Sequence, residues 1–118
     1  MALKNNFYNQ NFGRQGEDIA TQFVQEQGYV ILSRNFRTKL GEIDLIAEKS
    51  GEIFFFEVKS RTSNSYGVPS EIINLPKLKR MEQIAWLYLR SINRENTDWS
   101  IKIIEYTNKE CTIHDVIL

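Results

Sequence analysis

The sequence predicts an α/β domain in which a mixed central sheet is flanked by helices. Two observations carry that reading. The elements run helix, three strands, helix, two strands, and strand runs bracketed by helices suggest a mixed sheet with helices packed on its faces. The segment from Gly51 to Lys59 is apolar on both sides, with Ile53 and Phe55 on one face and Phe54, Phe56 and Val58 on the other. Such a strand belongs at the centre of a sheet covered on both faces. The 118 residues fit one domain, 1–118, large enough to bury a core without disulfides or a structural metal.

Each element has its own signal. Residues 1–10 are polar and are expected to be flexible. From Phe12 to Gln27, the positions Phe12, Gly16, Ile19, Ala20, Phe23 and Val24 share one broad helical face. Gly28 then reads as its C-cap. Tyr29 to Arg37 is a first strand. Leu40 to Glu48 is a second, with Ile43, Leu45 and Ala47 alternating, and Gly51 to Lys59 is a third. Ser50–Gly51 suits a two-residue hairpin turn, which pairs Lys49 with Glu52 and sets the register of the two strands. Ser60 to Leu75 holds four Ser, a Thr, two Asn, a Gly and Pro69, and reads as a long loop. Loops of that length in compact domains are often functional. Pro76 is placed to open a helix, with Asn74 as its cap. Its apolar stripe is Leu78, Met81, Ala85, Tyr88, Leu89 and Ile92. Trp99 to Tyr106 and Cys111 to Ile117 form a closing pair of strands around residues 107–110.

Composition narrows the function classes. Fifteen basic residues balance fifteen acidic ones, which argues against a bulk electrostatic polyanion binder and leaves room for local patches. Arg34, Arg37 and Lys39 form one basic cluster, Lys59 and Arg61 a second, and Lys77, Lys79 and Arg80 a third. Cys111 is the only cysteine and His114 the only histidine, so a cysteine-rich zinc site and a Ser-His-Asp triad are disfavoured. The longest uninterrupted aliphatic and aromatic run, Ile84 to Leu89, is far too short to cross a bilayer. No membrane partner is expected, and the cytoplasm is the expected compartment.

The hairpin register has a chemical consequence. It sets Asp44 opposite Glu57 and Glu42 opposite Lys59, all on one face. Two ionised carboxylates on neighbouring strands repel, and beside a buried sheet they call for a proton or a cation between them. A hard divalent ion such as Mg²⁺ takes one or two carboxylates plus phosphate oxygens. Lys59, one pleat away, suits the stabilisation of charge on a phosphate. The constellation matches phosphodiester hydrolysis. The same residues also fit an ordinary Glu42–Lys59 ion pair with Asp44 and Glu57 solvated at the strand ends. Glu17 lies at the border of the first helix's apolar stripe, where a carboxylate can reach the sheet or simply mark the boundary.

These residues carry a resemblance. Gly16-Glu17, Gly28-Tyr29, Arg34-Asn35, Gly41-Glu42-Ile43-Asp44-Leu45-Ile46, Glu57-Val58-Lys59-x-Arg61, Tyr66-Gly67-x-Pro69 and Lys77 together resemble the YraN-like family of uncharacterised bacterial proteins. That family is similar to the PD-(D/E)XK nucleases, above all the archaeal-type Holliday junction resolvases. The resemblance covers about residues 12 to 90. It implies a restriction-endonuclease-like αβββαβ core, with Asp44, Glu57 and Lys59 at the catalytic positions. Glu17, Asp44 and Glu57 would hold Mg²⁺ or Mn²⁺, and Lys77 falls where the family places a lysine at the start of the second helix. Where relatives open the next strand with Arg-Phe-Asp, this chain has Trp99-Ser100-Ile101-Lys102.

Two nucleic-acid functions are therefore expected in competition, beside a third reading, supported by the neutral net charge, of a protein-interaction domain that meets no nucleic acid. One is a metal-dependent nuclease acting on branched or structured DNA, with Arg34, Arg37, Lys39, Arg61 and Lys77 on the DNA backbone. The other is a catalytically inactive nucleic-acid-binding or adaptor module on the same fold. A resolvase acting on a two-fold junction would work as a homodimer.

Overall fold

A computed structural model of the chain describes residues 15–61, 74–107 and 110–116, the side chain of Arg61 excepted. The expectations for residues 1–10, for Phe12, for most of the 60–75 loop and for the tip of the last turn lie outside these residues. The first helix, α1, covers 15–26. Five strands follow with a second helix among them: β1 Val30–Thr38, β2 Gly41–Lys49, β3 Glu52–Arg61, α2 Leu75–Ser91, β4 Trp99–Thr107 and β5 Glu110–Asp115.

The strands form one sheet in the order β1-β2-β3-β4-β5. β3 and β4 are parallel and every other pair is antiparallel. The parallel pair requires a crossover, and α2 supplies it. β3 is the central strand, as its two apolar faces predict. On one face Ile53 and Phe55 pack with Ile43, Ile46, Ile84, Ala85, Tyr88 and Leu89 beneath α2. On the other, Phe54 and Phe56 pack with Leu45, Ala47 and Ile104 beneath Ala20 and Val24 of α1. The result is a mixed five-stranded sheet flanked by two helices, compatible with a restriction-endonuclease-like core. Among the described residues no helix is long and apolar enough to cross a membrane.

Local chemistry sets the element ends. α1 closes with two backbone bonds, Tyr29 N–H to Val24 O and Gly28 N–H to Gln25 O, both 3.0 Å. Gly28 takes φ +95°, the left-handed conformation this closure needs. Ser50 and Gly51 both have positive φ, so the β2–β3 turn is of the two-residue type that matches strand twist. The Asn74 side chain accepts the Lys77 N–H at 2.9 Å and caps α2, with Pro76 in its first turn. Ile84, absent from the expected stripe, is also buried in α2. It lies three residues after Met81 and so shares its face.

Candidate functional site

The β2–β3 ladder follows the expected register from Lys49–Glu52 to Leu45–Phe56. There it ends, one residue short of the carboxylates. Beyond it β2 continues as the partner of β1 alone, while β3 continues alongside β4 from Glu57 to Arg61. The Val58 N–H thereby loses a strand partner, and a buried N–H must find another acceptor. It donates to Asp44 Oδ2 at 2.8 Å. Asp44 thus completes the ladder with its side chain instead of standing opposite Glu57 as a plain cross-strand neighbour. Glu42 turns to β1, where it accepts Arg37 Nε at 3.0 Å, rather than to Lys59.

A local twist of two strands makes this possible. Residues two apart on a strand normally share a face. Yet Ile43 packs under α2 and Leu45 under α1. On the neighbouring strand Phe36 packs against Tyr88 of α2, whereas Arg34 bonds Asp18 of α1. The face changes between these pairs, at Asp44 and at Asn35. Asn35 has φ +53°, and asparagine is one of the few residues that adopts this conformation at low cost. Arg34-Asn35 was legible only as part of a family pattern; the backbone gives it a reason.

Asp44 is the electrostatic centre. Burial pushes its carboxyl up to about 7, and the Glu57 charge adds to that, against the stabilising Val58 N–H. Glu17 and Glu42 raise it further. Glu57 is a buried polar residue whose Oε1 lies 3.0 Å from Lys77 Nζ and 3.5 Å from Lys59 Nζ. The two lysines, one from α2 and one from β3, neutralise it from within the protein. Asp44, Glu57, Lys77 and Arg80 line a common cleft of about 250 Å³ between the start of α2 and the β2–β3 opening.

The expected site residues therefore divide. Asp44, Glu57, Lys59 and Lys77 come together. Glu17 is felt by Asp44 as charge, and among the described residues no three His, Cys, Asp or Glu side chains gather closely enough to hold a metal ion. A cation at this place would be held by Asp44 and Glu57 alone, a pattern Mg²⁺ accepts when water or phosphate completes its shell. Arg34 is tied to Asp18 at 2.6 Å and Arg37 to Glu42, while Lys39 is exposed in the β1–β2 turn. The Arg61 side chain lies outside the described residues. In the sequence Arg80 stands only as one of a basic cluster. Its spacing of three from Lys77 on a helix is the signal that puts both in one cleft. His114 hydrogen-bonds Thr112 at 2.7 Å on β5, in keeping with a structural or surface role.

Comparison with known proteins agrees with the family resemblance. The model of a family described as "Uncharacterised protein family UPF0102" matches residues 16–118. A UPF0102 protein of Caldanaerobacter subterraneus is 44% identical over 83% of this chain and 81% of its own length. One of Caldicellulosiruptor saccharolyticus is 37% identical over 90% of this chain and 91% of its own. One of Alkaliphilus metalliredigens is 41% identical over 88% and 92%.

Proposed function

The chain belongs to the uncharacterised protein family UPF0102, the YraN-like family, and we propose that it is a metal-dependent nuclease hydrolysing phosphodiester bonds in branched or structured DNA. One observation carries the proposal: Asp44, whose carboxyl is pushed up to about 7, shares a cleft with Glu57 and Lys77, and Lys59 meets Glu57 beside it. A partly buried carboxylate held beside a second one is the donor set that a hard cation suits. Mg²⁺ or Mn²⁺ held by Asp44 and Glu57 would polarise the phosphoryl group and acidify the attacking water.

The chain's own residues do the rest. Val58 N–H fixes the Asp44 carboxylate in the gap between β2 and β3. Lys59 turns from Glu57 to the phosphate and stabilises the charge that develops there. Glu17 adds negative potential that favours cation entry. Arg34, Arg37, Lys39, Arg61 and Lys77 hold the DNA backbone, with Arg34 and Arg37 exchanging carboxylate for phosphate. Cleavage of four-way junction, flap and linear DNA in Mg²⁺ tests the reading. Wild type cuts at least one of them, and Asp44→Ala and Lys59→Ala do not; an uncut panel overturns it.

A second reading has its own support. Glu57 is already neutralised by Lys77 and Lys59, and Asp44 already has a hydrogen-bond donor. A set satisfied without a metal suits a catalytically inactive DNA-binding or adaptor module. Calorimetric titration with Mn²⁺ separates the two. Binding that Glu57→Gln abolishes supports the nuclease; salt-sensitive DNA binding without metal binding supports the module.

A further inference from the structure

The cleft has two chemical walls. Glu42, Asp44 and Glu57 supply one, and Lys77 and Arg80 of α2 supply the other. The two cations are not equivalent. Lys77 is bound to Glu57 at 3.0 Å. Arg80 has no carboxylate partner among the described residues. Of the other candidate cations, Lys59 is engaged with Glu57, Arg34 with Asp18 and Arg37 with Glu42, and Lys39, exposed in the β1–β2 turn, is not among the residues lining the cleft. The first turn of α2 carries no acidic residue that would compete for Arg80. A guanidinium is also the group whose planar fork matches two oxygens of one phosphate, which an ammonium does not.

We propose that Arg80 is the phosphate clamp of this cleft, holding two non-bridging oxygens of one DNA backbone phosphate against α2. The inference rests on the reading that the cleft receives DNA, and it assigns the contact that positions the strand. Lys59 and Lys77 each already share their charge with Glu57, whereas Arg80, with no carboxylate partner among the described residues, has its whole fork to offer a phosphate. Arg80 therefore sets affinity and register for the nucleic acid, and the lysines follow.

The test reads binding rather than cutting. A fluorescent four-way junction and a duplex of the same sequence are titrated with protein in the presence of chelator, at several salt concentrations. Arg80→Gln weakens binding about tenfold at ~50 mM salt and makes the slope of log K against log salt shallower by about 0.9, the share of one phosphate contact. Arg80→Lys recovers part of the affinity. Arg90→Gln removes the same charge from the far end of α2, ten residues and ~15 Å along the helix, and binds as wild type does. Equal losses in Arg80→Gln and Arg90→Gln would reduce the effect to net charge and overturn the proposal. So would an unchanged Arg80→Gln, or a wild type that retains no DNA at low salt. Cleavage in Mg²⁺ is measured separately: a cutting enzyme insensitive to Arg80→Gln sinks the clamp and leaves the nuclease standing. A non-cutting protein that binds through Arg80 does the reverse.

Discussion

The Asp44 carboxylate accepts the Val58 backbone N–H at 2.8 Å, so a side chain finishes a ladder that two strands leave incomplete. The bond favours the charged form, yet burial and Glu57 outweigh it and push the carboxyl from 3.8 up to about 7. The native state thus holds a proton on Asp44 over a pH range in which the unfolded chain has lost it. Where the native state binds more protons, stability falls as pH rises, so the loss accumulates between about pH 4 and pH 7 and is complete above that. Asp44→Asn keeps an acceptor oxygen and removes the charge. In chelator it raises the unfolding free energy at pH 8 by up to about 4 kcal/mol and changes it little at pH 4. Urea denaturation at the two pH values checks this, and an equal effect at both contradicts it.

Asn35 should be the backbone hinge of the site. Its φ of +53° lets β1 change face between Arg34 and Phe36, alongside the change in β2 at Asp44. A β-branched residue resists that conformation by roughly 1–2 kcal/mol, while glycine adopts it freely. Asn35→Val is expected to lose about that much stability and to shift the Asp44 titration. Asn35→Gly is expected to lose less and to leave the titration in place. Denaturation midpoints and the carboxyl ¹³C shift of Asp44 read the two effects separately.

Phe55 anchors the α2 face. It is fully buried, with its ring edge-on to Tyr88 at 6.0 Å and to Trp99 at 5.7 Å. Phe55→Ala leaves a cavity that ties β3, α2 and β4 together no longer, at a cost of about 3–5 kcal/mol. That is a large fraction of the stability of a domain this size. Phe55→Leu costs much less. Thermal unfolding by circular dichroism gives the comparison, and a Phe55→Ala midpoint within a few degrees of wild type would refute it.

How much of this was legible in the sequence depends on the kind of signal. The two-sided apolar pattern of Ile53 to Phe56 located the central strand, because burial on both faces leaves no other arrangement. Ser50–Gly51 gave the hairpin register, and the pairs from Lys49–Glu52 to Leu45–Phe56 follow it. The same extrapolation stopped short at Asp44. A regular ladder assumes flat, unbroken strands, and no residue pattern announces where β2 leaves β3. The nearer partner of Glu57 was hidden for a related reason. Lys77 lies twenty residues away in the sequence, and only the packing of α2 on the sheet brings it to 3.0 Å. Arg37 met Glu42 because the short β1–β2 turn pairs them, a contact that neighbours in sequence could have suggested.

Lys77 should act as an internal competitor for any divalent ion at Glu57. Its Nζ lies 3.0 Å from Glu57 Oε1, closer than Lys59 Nζ at 3.5 Å, and both lysines are partly exposed. A cation that binds Glu57 must displace this ammonium or share the carboxylate with it. Partly exposed ion pairs are worth about 0.2–1 kcal/mol, so the competition is modest but measurable. Lys77→Met, which keeps the length of the side chain and removes the charge, is expected to tighten Mn²⁺ binding about two- to fivefold in calorimetry. Lys59→Met should tighten it less, in step with the longer distance. Glu57→Gln removes the acceptor and should abolish binding. The order of the three constants is the decisive result: weaker Mn²⁺ binding in Lys77→Met than in wild type would mean that the lysine supports the ion rather than standing in its place.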